Sequence, residues 1–321
     1  MTGATPSFAQ LRARTDGAPA GSAWGVFGAG DELGSANFLG AAGVVAAAHG
    51  VRHGKVFGLD HPADRFSPPA AAHRHPARHR VIEYRPDHLD DCLDSFFLQS
   101  SSHIDGLRHV RHHAHGFYNG LAAAEDGAEQ RATLGVQRWG ERGLVGRGVL
   151  VDVARRCPLD HAASEPIPVS VLDRALAEQG TTVRRGDMLL VRTGWLEYYD
   201  RWVAAGAGEP LRSAGLEQSF EMLAWIWDHG LAVVAADNFA LEAYPAAATS
   251  PFENEEHGVV VDRLMHPALI AQLGLIVGEL WDLEALASDC AADGVYDFLL
   301  VAKPLNLTGG VGSPANAVAI K

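Results

Sequence analysis

The residues with the most chemistry to offer lie between Gln99 and His115, in the run QSSSHIDGLRHVRHHAH. Five of the sixteen histidines fall there: His103, His109, His112, His113 and His115. A solvent-facing loop seldom needs so much imidazole. Side chains on an extended strand alternate with period two, so Gln99, Ser101, His103, Asp105, Leu107 and His109 are expected on one face. One amide, two imidazoles and a carboxylate would then converge. Neutral imidazole and carboxylate are the usual ligands of zinc, manganese or iron, with amide oxygen a weaker companion. A catalytic cation needs three or four protein ligands and an open position for water. His103 and Asp105 are the best two candidates, and Gln99 shares their face. A further ligand must come from elsewhere, with His257, His266, Glu279, Glu242 and Asp237 available. The plainer alternative is that these histidines cap loops or sit half-buried.

Composition narrows the setting. The chain has 321 residues, 47% of them hydrophobic, enough for one large domain with a substantial core. The net charge of −13 disfavours a nucleic-acid or anionic-membrane partner. No apolar run is long enough to span a bilayer. Residues 1–22 are polar and interrupted by glycine and proline, so they read as a loose N-terminal arm without a secretory signal. Cys92, Cys157 and Cys290 are odd in number and far apart. That pattern argues against a disulfide framework or a thiolate zinc site and fits a reducing cytoplasm.

The elements that must position the site follow from pattern. Trp24 to Leu39 is glycine-rich with apolar anchors, an ordered loop. Ala41 to His49 has helical composition and stops at Gly50. Lys55 to Leu59 is expected as a first strand, Pro62 to His79 as an irregular excursion, and Ser95 to Leu107 as the strand that enters the metal loop. Gly148 to Ala154, Asp187 to Thr193 and Leu231 to Ala236 are short apolar runs that fit buried strands. Helices are expected over Val169 to Gln179, between Pro168 and Gly180, over Leu216 to Asp228, and over His266 to Leu273. Leu275 to Val277 and Phe298 to Ala302 complete the strands. A strand-rich first half and an alternating second half predict an α/β single domain with mixed sheets.

The segment from Gln99 to His109 resembles the HxGTHxDxPxH signature of the metal-dependent cyclase/kynurenine formamidase-like family. His103, Asp105 and His109 fall on its second His, its Asp and its last His. Gln99 stands where the first His is usual, Ser101-Ser102 replaces Gly-Thr, and Leu107 replaces Pro. FYNG (Phe117 to Gly120) and WGVFGAGDELGSANFL resemble a longer bacterial branch of that family. So do GLVGRGVLVDVAR, RRGDMLLVRTGW, AADNFALEAYP, the His266-to-Glu279 spacing and PLNLTGGVGSPANAVAI. The resemblance covers about residues 22 to 321, and residues 23–321 are taken as the cyclase-like domain.

The resemblance implies a swivelling β/β/α fold, assembled as a homodimer or homotetramer. It implies metal ligation by Gln99, His103 and Asp105, with His266 and Glu279 at the positions that hold a second ion in some members. An amide oxygen at Gln99 is harder and weaker than imidazole, which tilts the expected metal from zinc towards manganese. His109 is the expected general base and acid, since imidazole titrates near neutrality. The implied chemistry is metal-assisted hydrolysis of an amide or ester in a small cyclic or formylated substrate: a lactone, a cyclic amide or an N-formyl arylamine. The alternatives are a dehydrating cyclase or lyase, and a non-catalytic relative that binds a ligand. Phe117, Tyr118 and Trp195, with Trp24 and Phe27, are the candidates for an aromatic substrate wall. The cluster Gly309, Gly310, Gly312, Ser313 and Asn316 lacks the order of a phosphate loop and reads as structural.

Overall fold

The computed structural model describes residues 5–122, 132–256 and 259–321. Its strands are β1 (Val56–Gly58), β2 (Arg78–Arg85), β3 (His88–Asp94), β4 (His103–Asp105), β5 (Leu144–Asp152), β6 (Pro166–Ile167), β7 (Met188–Arg192), β8 (Gly215–Leu216), β9 (Val233–Ala236), β10 (Asn254–Glu256), β11 (Val259–Asp262), β12 (Ile276–Glu279), β13 (Asp297–Ala302), β14 (Gly312–Pro314) and β15 (Ala317–Ile320). Nine of them form one mixed sheet in the order β1-β15-β13-β5-β7-β9-β12-β4-β14. β5, β7, β9 and β12 run parallel, and the strands on either side pair antiparallel.

The four parallel strands are apolar along both faces because both faces are covered. Val149, Val151, Leu189, Val191, Val234 and Val277 join one core with the helices Val169–Gln179 and Phe220–Asp228 and the π-helix Pro267–Gln272. Leu150, Leu190, Val233, Ala235 and Ile276 face a second core with Trp139, Trp281 and the helix Glu284–Asp293. This is the mixed α/β single domain that the pattern predicted. The helix at Val169–Gln179 starts after Pro168 and stops at Gly180, whose φ of 65° is the left-handed conformation that favours glycine.

Two regions differ from expectation. Residues 5–22 are packed on their own chain. Ser7 caps a short helix, Phe8–Arg12, with a reciprocal Gln10 contact, and Phe8 and Leu11 are buried in the first core. The Trp227 indole donates to Pro6 O, so the arm's apolar side chains have an intrachain partner. The excursion after Pro62 is irregular only as far as residue 77. It continues as the exposed hairpin β2–β3, whose alternation is masked by charged residues on both faces.

Gly274 links the π-helix to β12 with φ +66°, and a Cβ there would lie 2.5 Å from the Tyr118 ring. Gly274→Ala is therefore expected to destabilise the protein by at least about 2 kcal/mol, through strain and overpacking together. Urea unfolding would show a lower midpoint with an unchanged slope. An unchanged midpoint would mean that the ring moves freely aside.

Candidate active site

The site lies where the parallel strands end. β4 runs antiparallel to β12 with His103 opposite Glu279 and Asp105 opposite Val277. Period two then places the His103, Asp105 and Glu279 side chains on one face, while Ile104 points into the other core. One ligand atom from each of the three lies within 4.8 Å of the others, and all three residues are buried. His103 Nε2 is 3.6 Å from Asp105 Oδ1 and 3.5 Å from Glu279 Oε2. His103 Nδ1 donates to Ser101 O at 2.7 Å. That bond fixes the tautomer and leaves the Nε2 lone pair facing the carboxylates.

Asp105 supplies the test of whether this group suits a cation. It is 1% exposed, and neither of its carboxylate oxygens accepts a hydrogen bond among the described residues. Burying such an ion without a partner costs several kcal/mol. Burial accordingly raises its pKa to about 6, against the pull of His103. Two bare oxygens beside an oriented imidazole nitrogen and a second carboxylate are a donor set that fits a divalent cation.

His266 borders the same cluster at the head of the π-helix. Its Nε2 lies 3.0 Å from Glu279 Oε1 and 4.0 Å from Asp105 Oδ2, and its Nδ1 is 2.5 Å from Glu242 Oε1. Burial opposes charge on this ring, but its bonds to Glu242 and Glu279 outweigh that and raise its pKa well above the usual value. Burial acts in the same way against ionised Glu279, yet His266 and then His103 hold its pKa down to about 2. Glu242 also accepts from Met265 N, so it fixes both the ring and the turn that carries it. It stands just after Ala240 and Leu241, both at positive φ, in the loop that follows β9. Non-glycine residues hold that conformation only where their surroundings enforce it.

His109 arrives by a turn, with its N–H bonded to Gly106 O. Its Nε2 is 3.6 Å from Asp105 Oδ1, and its side chain is 26% exposed. Burial, and then the His266 charge, lower its pKa to about 4, so it is neutral and able to accept a proton at pH 7. His109 opens onto a cavity of about 510 Å³ that also reaches His266, Glu279, Arg74, Phe239 and Tyr244.

The single-strand geometry expected for Gln99 does not hold. The strand begins at His103, and residues 99–102 form a turn. The serine hydroxyls bind neighbouring carbonyls in place of a ladder: Ser102 Oγ donates to Leu280 O and Ser101 Oγ to Pro62 O. Gln99 places Nε2 3.4 Å from His109 Nδ1, so its amide is turned to the base. A Cβ at Gly312, opposite Asp105 in β14, would lie 2.5 Å from that amide.

The aromatic wall is also corrected. Tyr118 is fully buried with its hydroxyl on Asp31, and Trp195 is buried with its indole on Arg212 O. Phe117 packs against the second core. Phe239 and Tyr244 line the cavity instead, with ring centroids 5.1 Å apart. Their signal was the polar break after the buried strand run, since loops at the carboxyl ends of parallel strands build sites. Asp237, on the same loop, accepts three bonds from Thr193 and Gly194 and lies outside the cluster. His257 lies outside the described residues. His113 reaches the cavity wall, while the His112 ring is stacked on His113 and His115.

The buried His/Asp/Glu group thus sits on two antiparallel neighbours of the mixed sheet. The sequence profile of the cyclase family, described as "Putative cyclase", matches residues 59–243, and the chain belongs to that family. The crystal structure of a novel cyclase is similar at 34% identity and TM-score 0.80, over 94% of this chain and 99% of that one. An isatin hydrolase bound to the product analogue thioisatinate shares the fold at 16% identity and TM-score 0.58, over 88% of this chain and 99% of that one. Isatin hydrolase A from Ralstonia solanacearum does so at 15% and 0.55, over 85% and 93%. No curated protein matches the sequence. Among the described residues, no helix is long and apolar enough to cross a membrane.

Proposed function

We propose that this protein is a metal-dependent hydrolase that cleaves an amide or ester bond in a small cyclic or formylated substrate. The observation that carries the reading is the Asp105 carboxylate, buried and bare, between His103 Nε2 and Glu279 with His109 beside it. Two proteins that share the fold are hydrolases of isatin, by its chemistry a cyclic amide. That supports ring opening among the candidate reactions.

His103, Asp105 and Glu279 would hold a divalent ion, manganese or zinc, with His266 at its edge. Such an ion supplies a lowered water pKa and a counter-charge for a developing oxyanion. The chain's own residues do the rest. His109, neutral and open to the cavity, takes a proton from the attacking water and returns it to the leaving nitrogen or oxygen. Gln99, whose amide lies 3.4 Å from Nδ1, keeps the ring turned so that Nε2 faces Asp105. Glu242 holds His266 in place. Phe239 and Tyr244 exclude water from one wall and offer flat apolar surface to a ring.

The reading is tested by assaying the purified protein against lactones, cyclic imides and N-formyl arylamines, with and without a chelator. Turnover of at least one class, lost on chelation and restored by manganese or zinc, is expected. Chelator-resistant turnover, or none across the panel with metal loaded, would overturn it. Metal affinity should also fall about tenfold per pH unit below pH 6, where a proton competes for Asp105. Titration calorimetry at pH 5 and pH 7 would measure that slope.

A further inference from the structure

The cavity that His109, His266 and Glu279 border is also lined by a guanidinium that the proposed chemistry does not use. Arg74 lines the cavity, and its position is fixed from two sides. The rings on either side of it in the chain, His73 and His75, both pack edge-on against Phe97, with centroids 6.3 and 5.9 Å away. One Arg74 Nη1–H donates to the backbone carbonyl of Gln99. That carbonyl is neutral, and no carboxylate lies within ion-pairing distance of Arg74 among the described residues. Other arginines of this acidic chain are paired: Arg65 with Asp200, Arg147 with Asp187, Arg192 with Glu284. Arg111, exposed and also lining the cavity, has no carboxylate partner among the described residues either.

A held, half-buried guanidinium with open donors beside a cavity is a fork for a planar anion. The acidic groups at this cavity beyond the reactive cluster, Glu255 and Asp262, come from β10 and β11. Asp262 Oδ1 is already taken by Asn254 Nδ2 and Leu264 N. The cavity lining thus combines the arginines at 74 and 111 with carboxylates from the β10–β11 hairpin.

We infer that Arg74 binds a carboxylate that the substrate carries in addition to its scissile bond, so that the natural substrate is a small aromatic or cyclic acid. This deepens the hydrolase reading, which supplies the scissile bond. A cavity of about 510 Å³ suits a single ring system with such a group. The ring would lie against Phe239 and Tyr244, and the carboxylate would take the bidentate face of Arg74.

Binding without turnover tests the inference separately from hydrolysis. Calorimetry on the purified, metal-loaded protein would compare benzamide with 4-carbamoylbenzoate, which differ only in the carboxylate. The wild type is expected to bind the acid at least about tenfold more tightly, with the preference shrinking as salt is raised. In Arg74→Met the preference should vanish while benzamide affinity and metal content are retained. Arg74→Lys, which keeps the charge but loses the fork, should keep only part of it. Equal affinity for the two compounds in the wild type, or a preference undiminished in either variant, would overturn the assignment. If Arg74→Met fails to fold, Arg74→Lys and the salt series decide. A protein that discriminates the acid yet hydrolyses nothing would refute the reaction and keep the anion site.

Discussion

Asp105→Asn is expected to abolish turnover and empty the metal site. The loss of a ligand oxygen should exceed the roughly 10–100-fold that an outer hydrogen-bond partner is worth to metal affinity. Elemental analysis should find the variant metal-free under conditions that load the wild type. Stability should move the other way in metal-free protein. Burial raises the Asp105 pKa to about 6 from an ordinary 3.8, so the folded state holds that proton more tightly than the unfolded state. Stability from this group is complete below the unfolded value and is lost as pH rises through about 6. The difference amounts to about 3 kcal/mol. The asparagine has no charge to bury. The metal-free variant should therefore unfold at higher denaturant than metal-free wild type at pH 7, and the two should converge near pH 4. Added manganese should stabilise only the wild type. A variant that still takes up metal, or that is less stable than the wild type without metal at pH 7, would contradict this role for Asp105.

His109→Ala is expected to lower kcat by about 10²–10⁴-fold while metal content stays at the wild-type level. The ring is 3.6 Å from Asp105 and partly open to the cavity, so its removal leaves His103, Asp105 and Glu279 in place. Gln99→Ala should give a weaker version of the same defect, because the amide contacts the base at Nδ1. If His109→Ala lost its metal along with its activity, His109 would be a ligand and the general base would have to be sought elsewhere on the cavity wall.

The residues that matter most were legible because strand periodicity is local. His103 and Asp105 share a face through i, i+2 spacing alone, and the buried runs at β5, β7 and β9 announced themselves by composition. The same rule was carried too far at Gln99, where the Ser101 and Ser102 hydroxyls bond Pro62 O and Leu280 O in place of a neighbouring strand. The pairing of Glu279 with His103 depends on strand register between residues 176 positions apart, and no local pattern encodes that. The family resemblance named Glu279 and His266, but it could not place Glu242 behind the His266 ring or Arg74 on the cavity wall. The aromatic wall failed for a different reason. Large rings are mostly core, and Tyr118 and Trp195 obeyed that rule, while Phe239 and Tyr244 reach the cavity on a loop held at positive φ.

The central claim is that His103, Asp105 and Glu279 enclose a divalent ion. Anomalous diffraction recorded across the zinc and manganese edges, from crystals grown with each metal, tests it most directly. One peak bounded by His103 Nε2 and the Asp105 and Glu279 carboxylates is the predicted result. Density showing only solvent among those three groups, with the metal elsewhere or nowhere in the crystal, would contradict it.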